Sequence, residues 1–390
     1  MISVKKISTA KDAQNLLSEL GCDPPGVMIM SKKMQTHVFH LRSLDIRAAN
    51  ILKQDALSFG GELALSKEAS FLRAKKADGV LMVNQRQLEQ LIGKLKGQPF
   101  GLRAVAEALQ RVFTGMTRDF GLPRVMGVLN ITSDSFSDGG KFVDVSRAVT
   151  HAKALARDGA HIIDIGGEST GPGSKPVSEP DELARIAPVL KELKKSGLFD
   201  NHGGHGKHTE LSIDTYKSEV ARFAIVNGAS IVNDVTALRG DKNMAKLVAE
   251  SGVQAVLMYA KDNTPRTTRV PKKYKDVIHA VKDFLSSRIE FAISQGIKEN
   301  QIIIDPGMGA FVSSDPMYSF EILSRLGELR SLGFPILVGT SRKSFLGGDI
   351  GSREEASIAT SLLALQNGAS IARVHNVKPI VELIKNIFTR

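Results

Sequence analysis

The sequence predicts a (β/α)8 TIM barrel, an α/β fold, preceded by a small α/β N-terminal domain. From residue 124 onward, short runs rich in β-branched residues alternate with longer stretches of helical period, as in βα units around a parallel sheet. Each run begins apolar and ends polar. The eight runs are RVMGVLN (124–130), HIIDIGG (161–167), LSIDT (211–215), SIVNDV (230–235), AVLMY (255–259), QIIIDPG (301–307), ILVGTS (336–341) and IARVHN (371–376). A doubly wound sheet is the alternative, but that fold does not need a polar residue at the end of every strand.

Residues 1–112 have a different pattern, in which apolar pieces alternate with helical segments. This pattern predicts a small α/β domain of unknown role. The apolar pieces are VMIMS, HVFHLRSL and GVLMV, and the helical segments are RAANILKQDALSFG, NQRQLEQLIGKLKG and GLRAVAEALQRVF. Residues 113–123 contain two glycines and a proline directly before the first barrel run. We therefore expect a linker there and the barrel over residues 124–390.

The segments between the barrel runs have helical periodicity. Stretches such as DELARIAPVLKELKKSG and EEASIATSLLALQNGAS place Leu, Ile, Val and Ala at i, i+3 and i+4. Helices of this kind bury one apolar stripe against a sheet. Eight strands and eight helices in about 270 residues suit the barrel.

Composition places the chain among globular proteins. Its 390 residues are 42% apolar and 24% charged, so we do not expect disorder. There is no run of about 18 apolar residues, and charges punctuate the first 20 residues, so we expect no membrane span, no secretory signal and a cytoplasmic location. The single cysteine, Cys22, excludes an internal disulfide framework and a Cys-rich zinc site.

The net charge of +11 is concentrated in the first third of the chain. Residues 1–120 carry 18 Lys+Arg against 11 Asp+Glu, whereas the remainder carries 34 against 30. A basic domain can bind nucleic acid. Here the lysines are scattered, tryptophan is absent and no RNA-binding aromatic motif is present. We therefore expect solvated helix faces and no nucleic-acid partner.

Polar side chains end the barrel runs, and the C-terminal ends of the strands are where this fold places its active site. One buried Asp or Asn is commonly just bonded to a neighbouring loop. Eight polar residues converging on one rim instead indicate a functional pocket, because isolated charges are rarely buried. They are Asn130, Asp164, Asp214, Asn233, Asp305, Lys343, Arg373 and His375.

Three histidines lie in NHGGHGKH (201–208), before the third barrel run. This position is the N-terminal rim of the barrel, opposite the active-site end. The segment is rich in glycine and has no carboxylate or cysteine, so we interpret it as a solvated loop and not as a metal site.

Seven strings at the ends of the runs occur in a fixed order: VMGVLNITSDSFSDGG, IDIGGESTGPGS, SIDTYK, VNDV, IDPGMG, VGTSRKSFLG and RVHNV. Together they resemble the dihydropteroate synthase family, folate-pathway enzymes that join a pterin pyrophosphate to 4-aminobenzoate. The resemblance covers residues 124–388. It implies a (β/α)8 fold, Mg²⁺ as cofactor and a homodimer. The first 112 residues look like an extension found on some bacterial members.

A pterin presents a flat edge of hydrogen-bond donors and acceptors, and the resemblance implies a pocket for it deep in the barrel. Buried acids and amides reject analogues that leave them unpaired. Lys343, in SRKSF, would cover the pterin and reach the arylamine. Asp305 precedes Pro306-Gly307, so a simple turn role is its alternative. The implied pterin residues are Asp214, Asn233, Met258, Asp305 and Lys343.

The leaving group would be pyrophosphate, so the rim must hold several negative charges. Arg373 and His375 are two residues apart on a strand and therefore point the same way, and the arginine fork suits phosphate. Barrels often bind phosphate at the loops after strands seven and eight. Asn130 would complete this anion site and ligate Mg²⁺, which prefers oxygen. A core histidine is the alternative for His375.

The resemblance implies that pyrophosphate leaves first and that the amine of 4-aminobenzoate attacks the resulting pterin methylene cation. No protein nucleophile is needed, because positioning and electrostatic stabilisation supply the catalysis. The implied catalytic residues are Asp134, Asp138, Lys343, Arg373 and His375, of which the first two would shield the cation. The implied aminobenzoate residues are Phe136, Thr170, Pro172 and Ser344.

Four positions depart from the family pattern. Gly171 stands where an arginine usually follows GEST, and Ala310 replaces the usual aromatic after IDPG, with Phe311 one place later. The fifth run ends in LMYA, with Tyr259 in place of the commoner histidine, and Asn376 stands where Asp is usual. We therefore expect any change on the aminobenzoate side of the site.

Two other functions are compatible with a pterin pocket. A methyltetrahydropterin-dependent methyltransferase shares the fold, but it has no use for SRKSF or for the anion site of Arg373 and His375. A non-catalytic pterin-binding paralogue, in which the N-terminal domain recruits a partner, is favoured only by Gly171 and Ala310.

Overall fold

The computed structural model describes residues 2–7, 9–70, 73–131, 141–199, 209–349 and 351–389. Four sequence features lie outside these residues: Asp134, Phe136, Asp138 and the histidine-containing segment 201–208. The chain divides into two compact units, Met1–Thr114 and Gly115–Arg390. The predicted domain limits remain a prediction.

The first unit contains a three-stranded antiparallel sheet of order β1-β3-β2. Its strands are β1 (Thr36–Asp45), β2 (Glu62–Leu65) and β3 (Lys76–Asn84). Its helices are α1 (Ala10–Glu19), α2 (Pro24–Ser31), α3 (Ile46–Ser58), α4 (Lys67–Ser70), α5 (Gln85–Leu95) and α6 (Leu102–Thr117). The expected small α/β domain is confirmed, although the apolar piece VMIMS lies in α2 and β2 was not anticipated.

Local sequence signals explain where these helices begin. Thr9 and Asp12 form a reciprocal capping box at the start of α1, and Asn84 and Gln87 form a second one at the start of α5. Pro24 occupies the first turn of α2, where its missing N–H has no cost.

The second unit is an eight-stranded parallel sheet of order β10-β11-β4-β5-β6-β7-β8-β9. Its strands are β4 (Arg124–Asn130), β5 (Ile162–Gly166), β6 (Glu210–Asp214), β7 (Ala229–Asp234), β8 (Gln254–Met258), β9 (Ile302–Asp305), β10 (Leu337–Val338) and β11 (Ile371–Val374). A single parallel bridge between Ile304 and Ile336 closes the sheet on itself. The predicted (β/α)8 barrel is confirmed.

Each barrel strand overlaps one of the eight predicted runs, although β6, β7 and β8 begin one residue before theirs and β10 is much shorter than its run. Only two residues of the run 336–341 form ladder pairs, Leu337 with Ile371 and Val338 with Ala372. The chain leaves the ladder at Gly339, and Arg342 then adopts a left-handed conformation with φ 61°. This turn directs the SRKSF segment over the rim.

Helices follow the strands and pack their apolar stripes on the outside of the barrel. They are α7 (Lys141–Arg157), α8 (Glu179–Lys195), α9 (Ser218–Val226), α10 (Met244–Ser251), α11 (Val277–Ser294), α12 (Pro316–Ser324), α13 (Glu354–Gln366) and α14 (Lys378–Phe388). In α8, Ser178 caps the first turn, and the fully buried Ile186 and Leu190 face the barrel core. Within the part of the chain that the structure describes, no helix has the length and apolarity to cross a membrane.

The barrel interior has an apolar layer below a polar one. The apolar layer consists of Met126, Ile162, Ile231, Val256, Ile303, Leu337 and Ile371. Successive residues of a strand alternate between the two faces, so the inward side chains of the next layer lie two positions further along. That layer consists of Val128, Asp164, Ser212, Asn233, Met258, Asp305, Gly339 and Arg373. Most of the polar side chains inside the barrel therefore first appear at this level.

Candidate active site

Asp164 is the centre of the polar layer. Its side chain is fully buried and accepts three hydrogen bonds, from Ser212 Oγ at 2.6 Å, Asn233 Nδ2 at 2.9 Å and Arg373 Nε at 2.7 Å. Strand register explains the first contact, because Asp164 of β5 pairs with Ser212 of β6. A buried carboxylate with three donors is fully satisfied, so Asp164 fixes the orientation of its neighbours.

Arg373 joins this centre to Asp214. Its Nη2 donates to Asp214 Oδ2 at 2.8 Å while its Nε bonds Asp164. Burial disfavours charge on this guanidinium, but the two carboxylates outweigh that effect and raise its pKa. Gly339 lies beside the arginine, and a Cβ there would make ordinary van der Waals contact with the Cβ of Arg373 at 3.6 Å. Arg373 therefore stays charged inside the barrel.

Asp214 is the least stable anion of the group. Burial raises its pKa to about 7, an effect that Arg373 opposes and the neighbouring charge of Asp164 increases. Asp214 pairs in register with Gly166 on one side and Asn233 on the other. Its carboxyl therefore lies one level above Asp164 and changes protonation near neutral pH.

Asp305 and Lys343 form a second acid and base pair. Burial raises the pKa of Asp305 to about 6, against the opposing effect of Lys343, and Asp305 Oδ1 accepts a hydrogen bond from Gly307 N at 2.7 Å. Burial also lowers the pKa of Lys343 to about 8, and Asp305 limits that shift. Lys343 Nζ donates to Met308 O at 3.2 Å and lies 4.9 Å from the ring centroid of Phe311. Phe311, one place after Ala310, thus supplies an aromatic face at the site.

His375 is two residues after Arg373 on the same strand run but is not itself a cation at neutral pH. Burial, with further contributions from Arg342 and Arg373, lowers the pKa of His375 to about 3. Its Nδ1 lies 3.0 Å from Ser341 Oγ. A neutral imidazole can still hydrogen-bond a phosphate oxygen.

Asn130 ends β4 at the exposed edge of the rim and pairs in register with Gly166. A Cβ built at Gly166 would lie 3.8 Å from Asn130 Oδ1 and 3.7 Å from Asp214 Oδ2, so both oxygens lie beside this glycine. The described residues contain no group of three or more His, Cys, Asp or Glu suited to a metal ion. One accessible amide oxygen nevertheless fits Mg²⁺, which is commonly held by few protein oxygens together with water and substrate phosphate.

The residues assigned to aminobenzoate lie on two rim loops. Thr170 and Pro172 are half-buried in the loop after β5, and the exposed Ser344 opens the short 3-10 turn Ser344–Leu346 after β10. Thr170 O accepts a hydrogen bond from Thr267 N at 3.3 Å. The roles of these residues remain predictions.

The structure adds residues that the sequence did not assign. Asp164 was expected at the rim but given no role, and Ser212 and Ser341 were not considered. Strand periodicity could have identified Ser212, which lies two residues before Asp214 and so faces the same side. No local pattern identifies Ser341, because its partner His375 is 34 residues away.

The chain has known relatives across this whole region. The family model described as pterin binding enzyme matches residues 126–375. The dihydropteroate synthase of Bacillus subtilis is 39% identical over 265 residues, which is 67% of this chain and 86% of that relative. The probable bifunctional folylpolyglutamate synthase/dihydropteroate synthase of Halobacterium salinarum is 36% identical over 97% of this chain but 46% of its own length, so the chain spans about half of that relative.

Solved structures give the same result. The Xanthomonas albilineans dihydropteroate synthase with 4-aminobenzoic acid is 38% identical, with a TM-score of 0.61 over 69% of this chain and 93% of that chain. In complex with 7,8-dihydropteroate, the same enzyme matches with 36% identity and a TM-score of 0.59 over 70% of this chain and 95% of that chain. With the barrel, its polar rim and these matches in agreement, this chain belongs to the pterin-binding enzyme family and is homologous to the dihydropteroate synthases.

Proposed function

We propose that this protein is a dihydropteroate synthase, which condenses 6-hydroxymethyl-7,8-dihydropterin pyrophosphate with 4-aminobenzoate and releases pyrophosphate. The observation that carries the proposal is the hydrogen-bonded group inside the barrel, in which Arg373 joins Asp164 of the polar layer to Asp214 one level above it. Acids, an amide and a guanidinium at that depth match a flat heterocycle with an anionic tail.

The pterin would lie on this layer, with its donor edge towards Asp214, Asn233 and Asp305. Met258 supplies apolar contact at the same level of the barrel, and Lys343 covers the ring from the rim. The raised pKa values of Asp214 and Asp305 support this assignment, because carboxylates short of donors gain hydrogen bonds when the pterin arrives.

Arg373 would contribute its guanidinium to the pyrophosphate end, with the neutral His375 hydrogen-bonding a phosphate oxygen. Asn130 would hold Mg²⁺ through its amide oxygen. When bound, Mg²⁺ neutralises negative charge on the leaving pyrophosphate. The carbon–oxygen bond between the pterin methylene and pyrophosphate breaks, and its electron pair leaves with pyrophosphate.

The arylamine nitrogen of 4-aminobenzoate then bonds to the methylene carbon and loses one proton to solvent. Thr170, Pro172 and Ser344 would hold the aminobenzoate, with Phe136 against its ring and Asp134 and Asp138 near the developing positive charge. The last three residues stand on sequence resemblance alone.

The assembly, location and domain limits are part of the proposal. We propose a homodimer, on the resemblance of the barrel to its family. A chain with one cysteine suits a reducing compartment, and we place the enzyme in the cytoplasm. We retain residues 1–112 as an N-terminal domain, 113–123 as a linker and 124–390 as the catalytic barrel.

The test is pyrophosphate release by the purified full chain with Mg²⁺, which should require both the pterin pyrophosphate and 4-aminobenzoate. Lys343→Ala should lower kcat/KM by about 100-fold or more, as expected for loss of a group that acts on the reacting atoms. Lys191→Ala, at an exposed position of α8, is the matched control and should leave the rate unchanged. A pterin-binding chain that never turns over would instead be the non-catalytic paralogue.

A further inference from the structure

We propose that Arg266 is a positioning residue for the second substrate, which it serves by fixing the loop after β5 through a buried ion cluster. The ion cluster consists of Glu168, Glu182, Lys217 and Arg266. This inference rests on the proposed function, since the loop it fixes carries the residues assigned to 4-aminobenzoate.

The ion cluster connects four separate elements of the barrel. Glu168 follows β5, Glu182 lies in α8, Lys217 follows β6 and Arg266 lies in the long loop between β8 and α11. Lys217 Nζ bonds both glutamates, and the guanidinium of Arg266 contacts Glu168 Oε1. Glu168 also accepts a hydrogen bond from Val177 N at 3.2 Å, so it holds the far end of its own loop as well.

Charge balance shows why Arg266 matters. The side chains of Glu168 and Glu182 are 3% and 0% exposed, whereas Lys217 and Arg266 are 12% and 22% exposed, so the two carboxylates have almost no solvent to screen them. Without Arg266, two buried carboxylates would share one ammonium. Glu182 Oε1 has no hydrogen-bond partner among the described residues, and neither have Nε and Nη2 of Arg266, so Arg266 is paired with Glu168 by charge and not by a hydrogen bond. Removing one partner of a buried ionic group leaves an uncompensated charge, which is strongly unfavourable.

The same segment contacts the aminobenzoate loop directly. Thr267, next to Arg266, donates its N–H to Thr170 O at 3.3 Å. The Thr267 hydroxyl donates to Ala310 O at 2.7 Å, in the loop after β9. Thr267 therefore joins the loops after β5, β8 and β9, and the neighbouring Arg266 fixes this segment through its charge.

Gly171 makes this anchor more important. Glycine provides no side chain to hold the loop from within. Its N–H makes a weak bond to Ser169 Oγ at 3.4 Å, and its carbonyl oxygen accepts from Ser174 Oγ at 2.7 Å and from Ser174 N at 3.2 Å. The loop therefore depends on groups that reach it from other loops. A misplaced loop weakens capture of the substrate it contacts before it changes the chemical step.

The experiment compares steady-state kinetics of the full chain with Arg266→Met, Arg266→Lys and the double variant Glu168→Gln/Arg266→Met. Arg266→Met should raise the KM for 4-aminobenzoate by about tenfold, as expected for a loop-positioning group, with little change in the KM for the pterin pyrophosphate. Arg266→Lys keeps the charge and should recover most of the loss. The double variant restores charge balance, because Glu182 keeps Lys217, and should be less impaired than Arg266→Met.

Arg269→Met is the matched control, since Arg269 is exposed on the same loop, and it should match wild type. Equal increases in both KM values, or a double variant worse than Arg266→Met, would overturn the proposal and leave Arg266 a purely structural residue. If Arg266→Met does not fold, the charge-balanced double variant decides: a rise in the KM for 4-aminobenzoate alone supports the proposal, and no rise or an equal rise in both KM values overturns it. Absence of turnover in the wild type would instead reject the proposed function.

Discussion

At the residue scale, the site depends on two carboxylates that share one guanidinium. Arg373 bonds Asp164 and Asp214 together, and the fully buried Asp164 has the better supply of donors. The energetic cost of burial therefore falls on Asp214, whose pKa rises to about 7. A substrate that donates hydrogen bonds to Asp214 stabilises its ionised form, which increases the affinity for that substrate.

This balance predicts a narrow pH optimum. The value of kcat/KM for the pterin pyrophosphate should rise with pH through about 7, as Asp214 ionises, and fall above about 8, as Lys343 loses its proton. Because kcat/KM reports the free enzyme, these limbs belong to the unliganded site. Initial rates at low pterin concentration across pH 5 to 10 provide the measurement.

Lys343→Arg separates the two limbs of that profile. Arginine stays protonated throughout the range, so the alkaline limb should move to higher pH while the acidic limb stays in place. An alkaline limb that does not move would show that another group controls it.

At the element scale, the turn after β9 positions Asp305. Gly307 has φ 67°, and its N–H holds the Asp305 carboxylate at 2.7 Å. A Cβ at Gly307 would lie 2.3 Å from the carbonyl oxygen of Tyr259, which belongs to backbone and cannot turn aside. The position therefore requires glycine for both its conformation and its space.

Gly307→Ala should lower the free energy of unfolding by about 1–3 kcal/mol, as expected when an inserted group forces the backbone to move. Pterin affinity should fall with it, because Asp305 loses its anchor. Denaturant unfolding and titration with a pterin analogue measure the two effects.

Gly252→Ala is the control for that substitution. Gly252 ends α10 in a left-handed conformation with φ 75°, and no described atom lies within 4 Å of its Cβ position. Only the conformational cost of about 1 kcal/mol should appear, with pterin affinity unchanged. Equal effects of the two substitutions would contradict the steric explanation.

The elements of the barrel could be predicted from sequence, because each buried run ends in a polar residue at the same rim. Asn233 and Asp305 could be expected in one layer for that reason. The hydrogen bond between Arg373 and Asp164 could not be predicted, since these residues are 209 positions apart and only closure of the barrel brings them together. The apolar content of VMIMS is likewise compatible with a strand. In the structure this segment is helical, because Asp23 caps the helix that begins at Pro24.

At the scale of the whole molecule, every described site residue belongs to the unit Gly115–Arg390. The Bacillus subtilis relative matches 67% of this chain, which corresponds in extent to this unit. The barrel also has its own apolar core, which includes Ile163, Ile213 and Leu257. It thus meets the usual conditions for an independent domain.

A fragment of residues 115–390 should therefore fold and turn over within about threefold of the full chain, as expected for a domain with its own core. Circular dichroism and pyrophosphate release are the measurements. A second fragment from residue 102, which keeps all of α6, controls for damage to that helix. Fragments that fold but lack turnover would show that the N-terminal domain takes part in catalysis.

The closure of the barrel has one more consequence. The seam between β9 and β10 is held by the bridge of Ile304 and Ile336, with Ile304 N bonded to Pro335 O at 2.9 Å. Asp305 lies directly after one side of this seam, and Lys343 follows the other side. A pterin bound between these two residues would connect the two strands that are joined by only a single bridge. Pterin affinity and the stability of the barrel would then be thermodynamically linked. A substitution that destabilises the pairing of β9 with β10 would weaken pterin binding, and pterin binding would stabilise that pairing.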